Sequence, residues 1–215
     1  MFFLQELAFK YGTDKRESRH NYVSVYEELF KKIQLDPIKL LEIGVYNCSS
    51  HNMWVDWFPN ATIYGIDIND ANFSKYNKAR LQLDRVDQGD PEQLALYAEL
   101  HGPWRIIIDD GSHLATHQVV SFNTLWPHIE PGGYYVVEDT HSAYWDHLVD
   151  KEPTIITHMQ EVVSIFSDAP HYKGYYANPE VRKHNEAMNK YQKEVDFVMF
   201  RMGLIIVKKR DRVYV

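Results

Sequence analysis

Two short runs carry the chemistry of this 215-residue chain: Ile106-Ile107-Ile108-Asp109-Asp110-Gly111-Ser112-His113 and Tyr134-Tyr135-Val136-Val137-Glu138-Asp139. Each reads as a buried parallel strand, apolar without alternation, that stops abruptly in carboxylates. In open α/β sheets the carboxyl ends of the strands form the ligand crevice. Neighbouring strands would bring Asp109, Asp110, Glu138 and Asp139 to one rim, with His113 a turn further on. Like charges held together are unfavourable unless something positive lies between them. A divalent cation with an imidazole base beside it is therefore the first expectation. Two other readings stay open. Asp110 and His113 could be a helix N-cap and a satisfied polar residue. His113 with His117 has the H-x₃-H spacing of a zinc pair, although a carboxylate-rich set suits a harder ion.

The elements that must position these residues alternate after Pro37, which is the pattern of a parallel sheet. Strands are expected at Leu40–Val45, Thr62–Ile68, Leu81–Val86, Arg105–Asp109 and Gly133–Glu138. Helices are expected at Ser50–Trp57, Ala71–Lys78, Pro91–Leu100 and Ala115–Trp126, with Pro131-Gly132-Gly133 a turn ahead of the fifth strand. Residues 153–167 and 178–193 read as helical. Val195–Arg201 and Leu204–Lys209 flank Met202-Gly203 as an antiparallel hairpin. The fold class is thus α/β, a seven-stranded, mostly parallel, doubly wound sheet. Residues 1–215 are expected to form one domain, with 1–36 a helical cap: a helix to about residue 10, then one near Tyr22–Ile33 with Tyr22, Val25, Tyr26, Leu29 and Phe30 on one face. Lys15, His20 and Tyr22 lie in the cap and could cover a ligand.

The first strand ends in Leu41-Glu42-Ile43-Gly44-Val45, and Asp67 ends the second. In doubly wound folds such a glycine lets the backbone approach a nucleotide, and such an acid bonds a ribose hydroxyl. No G-x-G-x-x-G follows, because Tyr46, Asn47, Cys48, Ser49 and Ser50 come after Gly44, and no P-loop is present. An adenosine cofactor without phosphates, S-adenosylmethionine being the commonest, fits better than a dinucleotide. An ordinary βα turn is the alternative. A formal charge of −7 argues against nonspecific nucleic-acid binding. No apolar run approaches the roughly 18 residues of a membrane span. The start lacks the features of a signal peptide, and Cys48 is the only cysteine, so a reducing cytoplasm is expected.

Several segments together resemble a known group. They are Lys10-Tyr11-Gly12-Thr13-Asp14-Lys15, Leu41 to Val45, Met53-Trp54, Phe58-Pro59-Asn60-Ala61, Tyr64-Gly65-Ile66-Asp67, Asp87-Gln88, Ile107 to His113, Pro131-Gly132-Gly133, Val137-Glu138-Asp139 and Tyr144-Trp145. In that order they are similar to the metal-dependent sugar O-methyltransferases of macrolide and related glycoside pathways. The resemblance implies a Rossmann-like class I methyltransferase fold, S-adenosylmethionine and Mg²⁺ as cofactors, and a rhamnose-like deoxysugar of a glycoside or glycan as acceptor. It implies Asp110, Glu138 and Asp139 as metal ligands and His113 as general base. It sets the cofactor against Glu42, Gly44, Ser49, Asp67, Ile68, Asp87, Gln88, Asp109 and Asp110. The acceptor would meet His113, Glu138 and Asp139; His141 could be a further contact, and Tyr144 and Trp145 either stack on the sugar or pack the loop after the fifth strand. One departure is Asn47-Cys48, where the family usually has glycines; Cys48 is poorly suited to a positive φ. A homo-oligomer stays open, and family members often carry a further N-terminal domain.

The chemistry explains these residue types. A sugar hydroxyl ionises not far below bulk water, at ~15.7, whereas unperturbed imidazole sits at ~6.5. Completing that proton transfer first would cost on the order of 11–12 kcal/mol. A hard cation on the hydroxyl removes much of this cost, and two vicinal hydroxyls could occupy its open positions. A catechol would offer the same pair of oxygens. A metal-dependent hydrolase and a non-catalytic cofactor-binding module are the other readings.

Overall fold

The computed structural model describes residues 3–71, 73–76, 78–167 and 189–211. Five parallel strands form the centre: β1 (Lys39–Ile43), β2 (Thr62–Asp67), β3 (Leu81–Arg85), β4 (Trp104–Asp109) and β5 (Ile129–Val137). A hairpin of β6 (Val195–Arg201) and β7 (Leu204–Lys209) completes a sheet ordered β3-β2-β1-β4-β5-β7-β6, with β7 antiparallel to both neighbours. The seven-stranded, doubly wound expectation is met.

Alternation along the strands divides the core. Leu40, Ile63, Ile106, Ile108, Val136 and Ile206 pack on one face with α1 (Leu4–Tyr11), α2 (Tyr22–Phe30) and α3 (Ser49–Trp57). Leu41, Ile66, Ile107, Tyr135, Val137 and Val207 pack on the other with α4 (Pro91–His101), α5 (Ala115–Leu125) and α6 (Ile155–Ser167). Among the described residues no helix is long and apolar enough to cross a membrane.

The same parity positions the acids. Glu42 pairs in register with Ile108, and Ile108 with Val136. Two residues further along β4 and β5 come Asp110 and Glu138, so all three acids share the face covered by α1, α2 and α3. Asp109 turns to the opposite face. The ladder continues past the strand ends, with Asp110 N donating to Ile43 O and Glu138 N to Asp109 O.

Three expected elements differ. Pro131-Gly132-Gly133 is not a turn before β5 but an irregularity inside it, since pairing jumps from Trp104–Ile129 to Ile106–Tyr134. Gly132 takes φ +74° there, and its N–H donates to Arg210 O. Ala71–Lys78 shows only a 3₁₀ turn at Phe73–Lys75 among its described residues. The Asp67 and Asn69 side chains accept from the N–H groups of Asn69 and Ala71, two successive Asx turns that lead into it. The helix expected over 178–193 lies outside the described residues up to 188, after which α7 (Lys190–Glu194) appears.

Gly65, in the centre of β2, has no room for a side chain, because a Cβ would press on the His51 ring and Leu83. Gly65→Ala should cost about 1–3 kcal/mol through overpacking. That corresponds to a fall of several degrees in Tm, which thermal unfolding by circular dichroism measures.

Candidate active site

Three strand ends and the cap build a single polar centre. Gly44, at φ +95°, ends β1 beneath the Asp110 backbone; a Cβ there would overlap the Asp110 carbonyl. Tyr46 and Cys48 follow at φ 45° and 61°, so Cys48 adopts the conformation for which it is poorly suited, while Asn47 does not. Cys48 is buried, and α3 begins directly after it. After β4, His113 stands at φ 61°; after β5, Asp139 stands at φ 51°. Non-glycine residues in this region are strained and persist where the surroundings over-determine them.

At the centre lies Lys15, whose side chain is only 1% exposed. Its Nζ stands 2.5 Å from Asp110 Oδ2, 2.8 Å from Glu138 Oε2 and 3.2 Å from Glu42 Oε1. Burial alone would depress the ammonium, but Asp110, Glu138 and Glu42 outweigh it and hold Lys15 well above the ordinary lysine value. Tyr26 donates to Glu138 Oε1 at 2.5 Å and Tyr22 to Asp139 Oδ1 at 2.7 Å. The cap thus gives hydrogen bonds to Asp110, Glu138 and Asp139 and an ion-pair partner to Glu42. One cation does not balance the set. Burial, against the pull of Lys15, pushes Asp110 up to about 6 and Glu138 well above the usual carboxylate range.

Two groups of side chains each offer three ligand atoms within 4.8 Å of one another: Asp110, His113 and Asp139 outside, and Glu42, Asp110 and Glu138 inside. Lys15 sits among the inner three. Asp110 belongs to both groups, but Asp110, Glu138 and Asp139 do not themselves form one. Successive residues Glu138 and Asp139 diverge at the strand end, and Lys15 and Tyr26 pin Glu138 inward. His113 Nε2 is 3.8 Å from Asp139 Oδ2, while its Nδ1 is buried without a hydrogen-bond partner among the described residues. His117 belongs to neither group; its Nδ1 lies 2.9 Å from Ser112 Oγ.

Two cavities meet at Gly44, Tyr46 and Asp110. The first, about 410 Å³, is lined by Ile66, Asp67, Ile68, Asp87, Gln88 and His117 among others. The second, about 690 Å³, lies under the cap against Thr13, Lys15, Arg16, Arg19, His20 and Ser49. Asp67 accepts from the N–H groups of Val45 and Tyr46, fixing the turn. Asp87 accepts from Gly89 N. Glu42 lines neither cavity. It is fully buried and accepts from Trp54 Nε1 at 3.0 Å, so its place is behind Lys15 and not against a ligand. Gln88 lines the first cavity, yet its amide is committed: Nε2 donates to Asp109 Oδ1 at 2.6 Å, and Oε1 accepts from Ser112 N at 2.9 Å. Asp109 is fully buried, and burial pushes it up to about 7. Gln88 and Asp109 together brace the loop that carries Asp110 and His113.

Beyond Asp139 lies a row of rings. Tyr22 stacks with His20, His20 with His141, and His141 meets Trp145 edge-on at 4.9 Å. Trp145 and Tyr144 are 47% and 75% exposed. Sequence reasoning raised Lys15 and Tyr22 only as cover and missed their pairing with the acids. The excess of carboxylates over cations was the available signal.

No family model matches the chain. It is 39% identical over 149 residues to mycinamicin VI 2''-O-methyltransferase of Micromonospora griseorubida, covering 66% of this chain and 37% of that one. Over 149 residues it is 36% identical to L-olivosyl-oleandolide 3-O-methyltransferase of Streptomyces antibioticus, covering 66% and 38%. Among solved structures it is similar to MycE, a methyltransferase of the mycinamycin biosynthetic pathway solved with Mg and SAH, with TM-score 0.81 and 29% identity over 97% of this chain and 55% of that one. The fold is that of a class I methyltransferase. The matched segment covers less than two fifths of the length of these curated relatives.

Tyr26→Phe removes one donor from a buried acid and little else. It should cost about 1.5–3 kcal/mol, the range for a hydrogen bond to a charged group, as measured by urea unfolding.

Proposed function

We propose that this chain is an S-adenosylmethionine- and Mg²⁺-dependent O-methyltransferase acting on a hydroxyl of a deoxysugar carried by a glycoside or glycan. We read residues 1–215 as one catalytic unit with 1–36 as its cap. The observation that carries the reading is the outer group of Asp110, His113 and Asp139, whose Asp110 lines both cavities. The likeness to sugar O-methyltransferases supports the reaction class.

The donor set suits Mg²⁺, a hard cation that prefers oxygen and keeps open positions. Asp110 and Asp139 would hold it from the outer group, and Glu138, held inward by Lys15 and Tyr26, would complete the set by turning a free lone pair toward the ion. The first cavity falls in the size range of small-molecule sites, roughly 300–1,000 Å³. Asp67 would take the ribose hydroxyls, with Ile68 and Asp87 beside the adenine and Gly44 and Ser49 on the methionine side. When bound, the cofactor supplies an electrophilic methyl group and the ion supplies Lewis-acid stabilisation of the oxyanion.

The chain's own residues do the rest. His113 accepts the hydroxyl proton at Nε2, which faces Asp139, and Asp139 stabilises the resulting imidazolium. Gln88 and Asp109 hold the loop so that Asp110 and His113 keep their spacing. Trp145 and Tyr144 offer exposed ring faces on which a sugar can stack, with His141 alongside.

Incubation with methyl-labelled S-adenosylmethionine and a panel of rhamnosides should give methylated sugar that disappears with EDTA. His113→Ala should lower turnover about 10²–10⁴-fold, the usual contribution of a general base, with S-adenosylhomocysteine affinity retained. Transfer indifferent to both EDTA and this substitution overturns the reading. Asp67→Ala should raise the S-adenosylhomocysteine dissociation constant by roughly tenfold or more, measured by titration calorimetry; an unchanged constant moves the ribose elsewhere.

A further inference from the structure

Lys15 is an ammonium in a place where the reading above puts a divalent ion's ligands. Its Nζ donates to Asp110 and Glu138 and stands in an ion pair 3.2 Å from Glu42, three carboxylates from the ends of three adjacent strands. The backbone around it is also held: Lys15 N donates to Thr13 Oγ1, and Lys15 O accepts from Val23 N. The ammonium has little freedom to withdraw when another cation approaches. Two of its partners, Asp110 and Glu138, are acids that the ion would use.

We propose that Lys15 is a built-in counter-ion of the divalent-ion site: it holds Asp110 and Glu138 in place before the ion arrives and, by sharing them, weakens the ion's binding. The inference rests on the ion reading above and assigns Lys15 a positioning role. Two cations drawing on the same carboxylates oppose one another, and burial strengthens that opposition because water screens it less. Without Lys15 the full charge of the cluster would fall to the ion. The price is an ion-free protein whose buried acids repel. Glu42, which lines neither cavity, tunes the device from behind by neutralising part of the ammonium.

Mn²⁺ binding to the whole chain, followed by the electron paramagnetic resonance signal of the free ion, tests this without any turnover. Lys15→Met keeps the stem and removes the charge. It should bind Mn²⁺ at least about tenfold more tightly than wild type, given the strength of charge interactions at such separations. Its ion-free form should melt lower, and saturating Mn²⁺ should raise its Tm by more than it raises that of the wild type. Glu42→Gln keeps Lys15 and every proposed ligand, and should bind several-fold more weakly because the ammonium is less neutralised.

A Lys15→Met protein that is destabilised but binds Mn²⁺ as wild type does, or more weakly, overturns the proposal in favour of a purely structural lysine. If Lys15→Met folds only when Mn²⁺ is added, the proposal stands. If it does not fold even then, Glu42→Gln decides, and unchanged affinity there overturns it. Wild type that shows no saturable Mn²⁺ binding sinks the ion reading and this inference together. Wild type that binds while the variants match it sinks this one alone.

Discussion

The structure depends on one arrangement of charge: two buried carboxylates, Glu42 and Glu138, and the partly exposed Asp110, from adjacent strand ends around the single ammonium of Lys15. Strand parity makes it unavoidable. Glu42, Asp110 and Glu138 all fall on the face toward α1, α2 and α3 once β1, β4 and β5 pair in their observed register. Breaking a buried ion pair by removing one partner typically costs 3–5 kcal/mol, because a desolvated charge is left alone. Burial of the strand ends therefore depends on the docked cap. Leu4, Leu7, Tyr26 and Phe30 pack it against the sheet, and Lys15 sets its charge among the acids that those contacts enclose.

The same docking concentrates conformational strain at the rim. Tyr46, Cys48, His113 and Asp139 hold positive φ just beyond β1, β4 and β5. None is glycine, so each conformation carries a cost that neighbouring bonds must offset. The offsets are visible. Asp67 ties down the Val45 and Tyr46 amides, Gln88 braces the loop before His113, and Tyr22 holds Asp139. Glycine would relieve the strain but would loosen Asp110, His113 and Asp139 relative to one another. Such groups need fixed separations to act together.

The sheet was legible because its central strands are continuous apolar runs that end in acids, and because hydrophobic alternation fixes which acids share a face. Val195–Arg201 and Leu204–Lys209 were read to the residue because Gly203 forces the turn between them. Pro131-Gly132-Gly133 misled because its composition signals a turn, while pairing on both sides carries the strand through an irregularity. Ala71–Lys78 has a helical pattern, but only a 3₁₀ turn at Phe73–Lys75 forms among its described residues, after two Asx turns at Asp67 and Asn69. The rim acids and His113 stood out by type and spacing. Their partners did not, because Lys15, Tyr22 and Tyr26 lie about a hundred residues away in sequence, and nothing local marks a lysine as interior. Glu42 and Gln88 were legible as polar groups near the crevice, but whether they face a ligand or a neighbour depends on contacts that form only in the fold.

The cap is more than a cover. Its segment from Gly12 to His20 lines the larger of the two cavities, its lysine pairs with the inner acids, its Tyr22 fixes Asp139, and its His20 begins the row of rings that runs to Trp145. These four tasks fall on residues within a dozen positions of one another, joined by backbone bonds such as His20 N to Asp14 O and Val23 N to Lys15 O. A displacement of this segment would therefore act on the cavity wall, the charge of the rim and the ring surface at the same time. The sheet supplies the acids and the base, but their separation, charge and surroundings are set by a segment that precedes the first strand. The physical unit of this site is the pairing of cap and sheet.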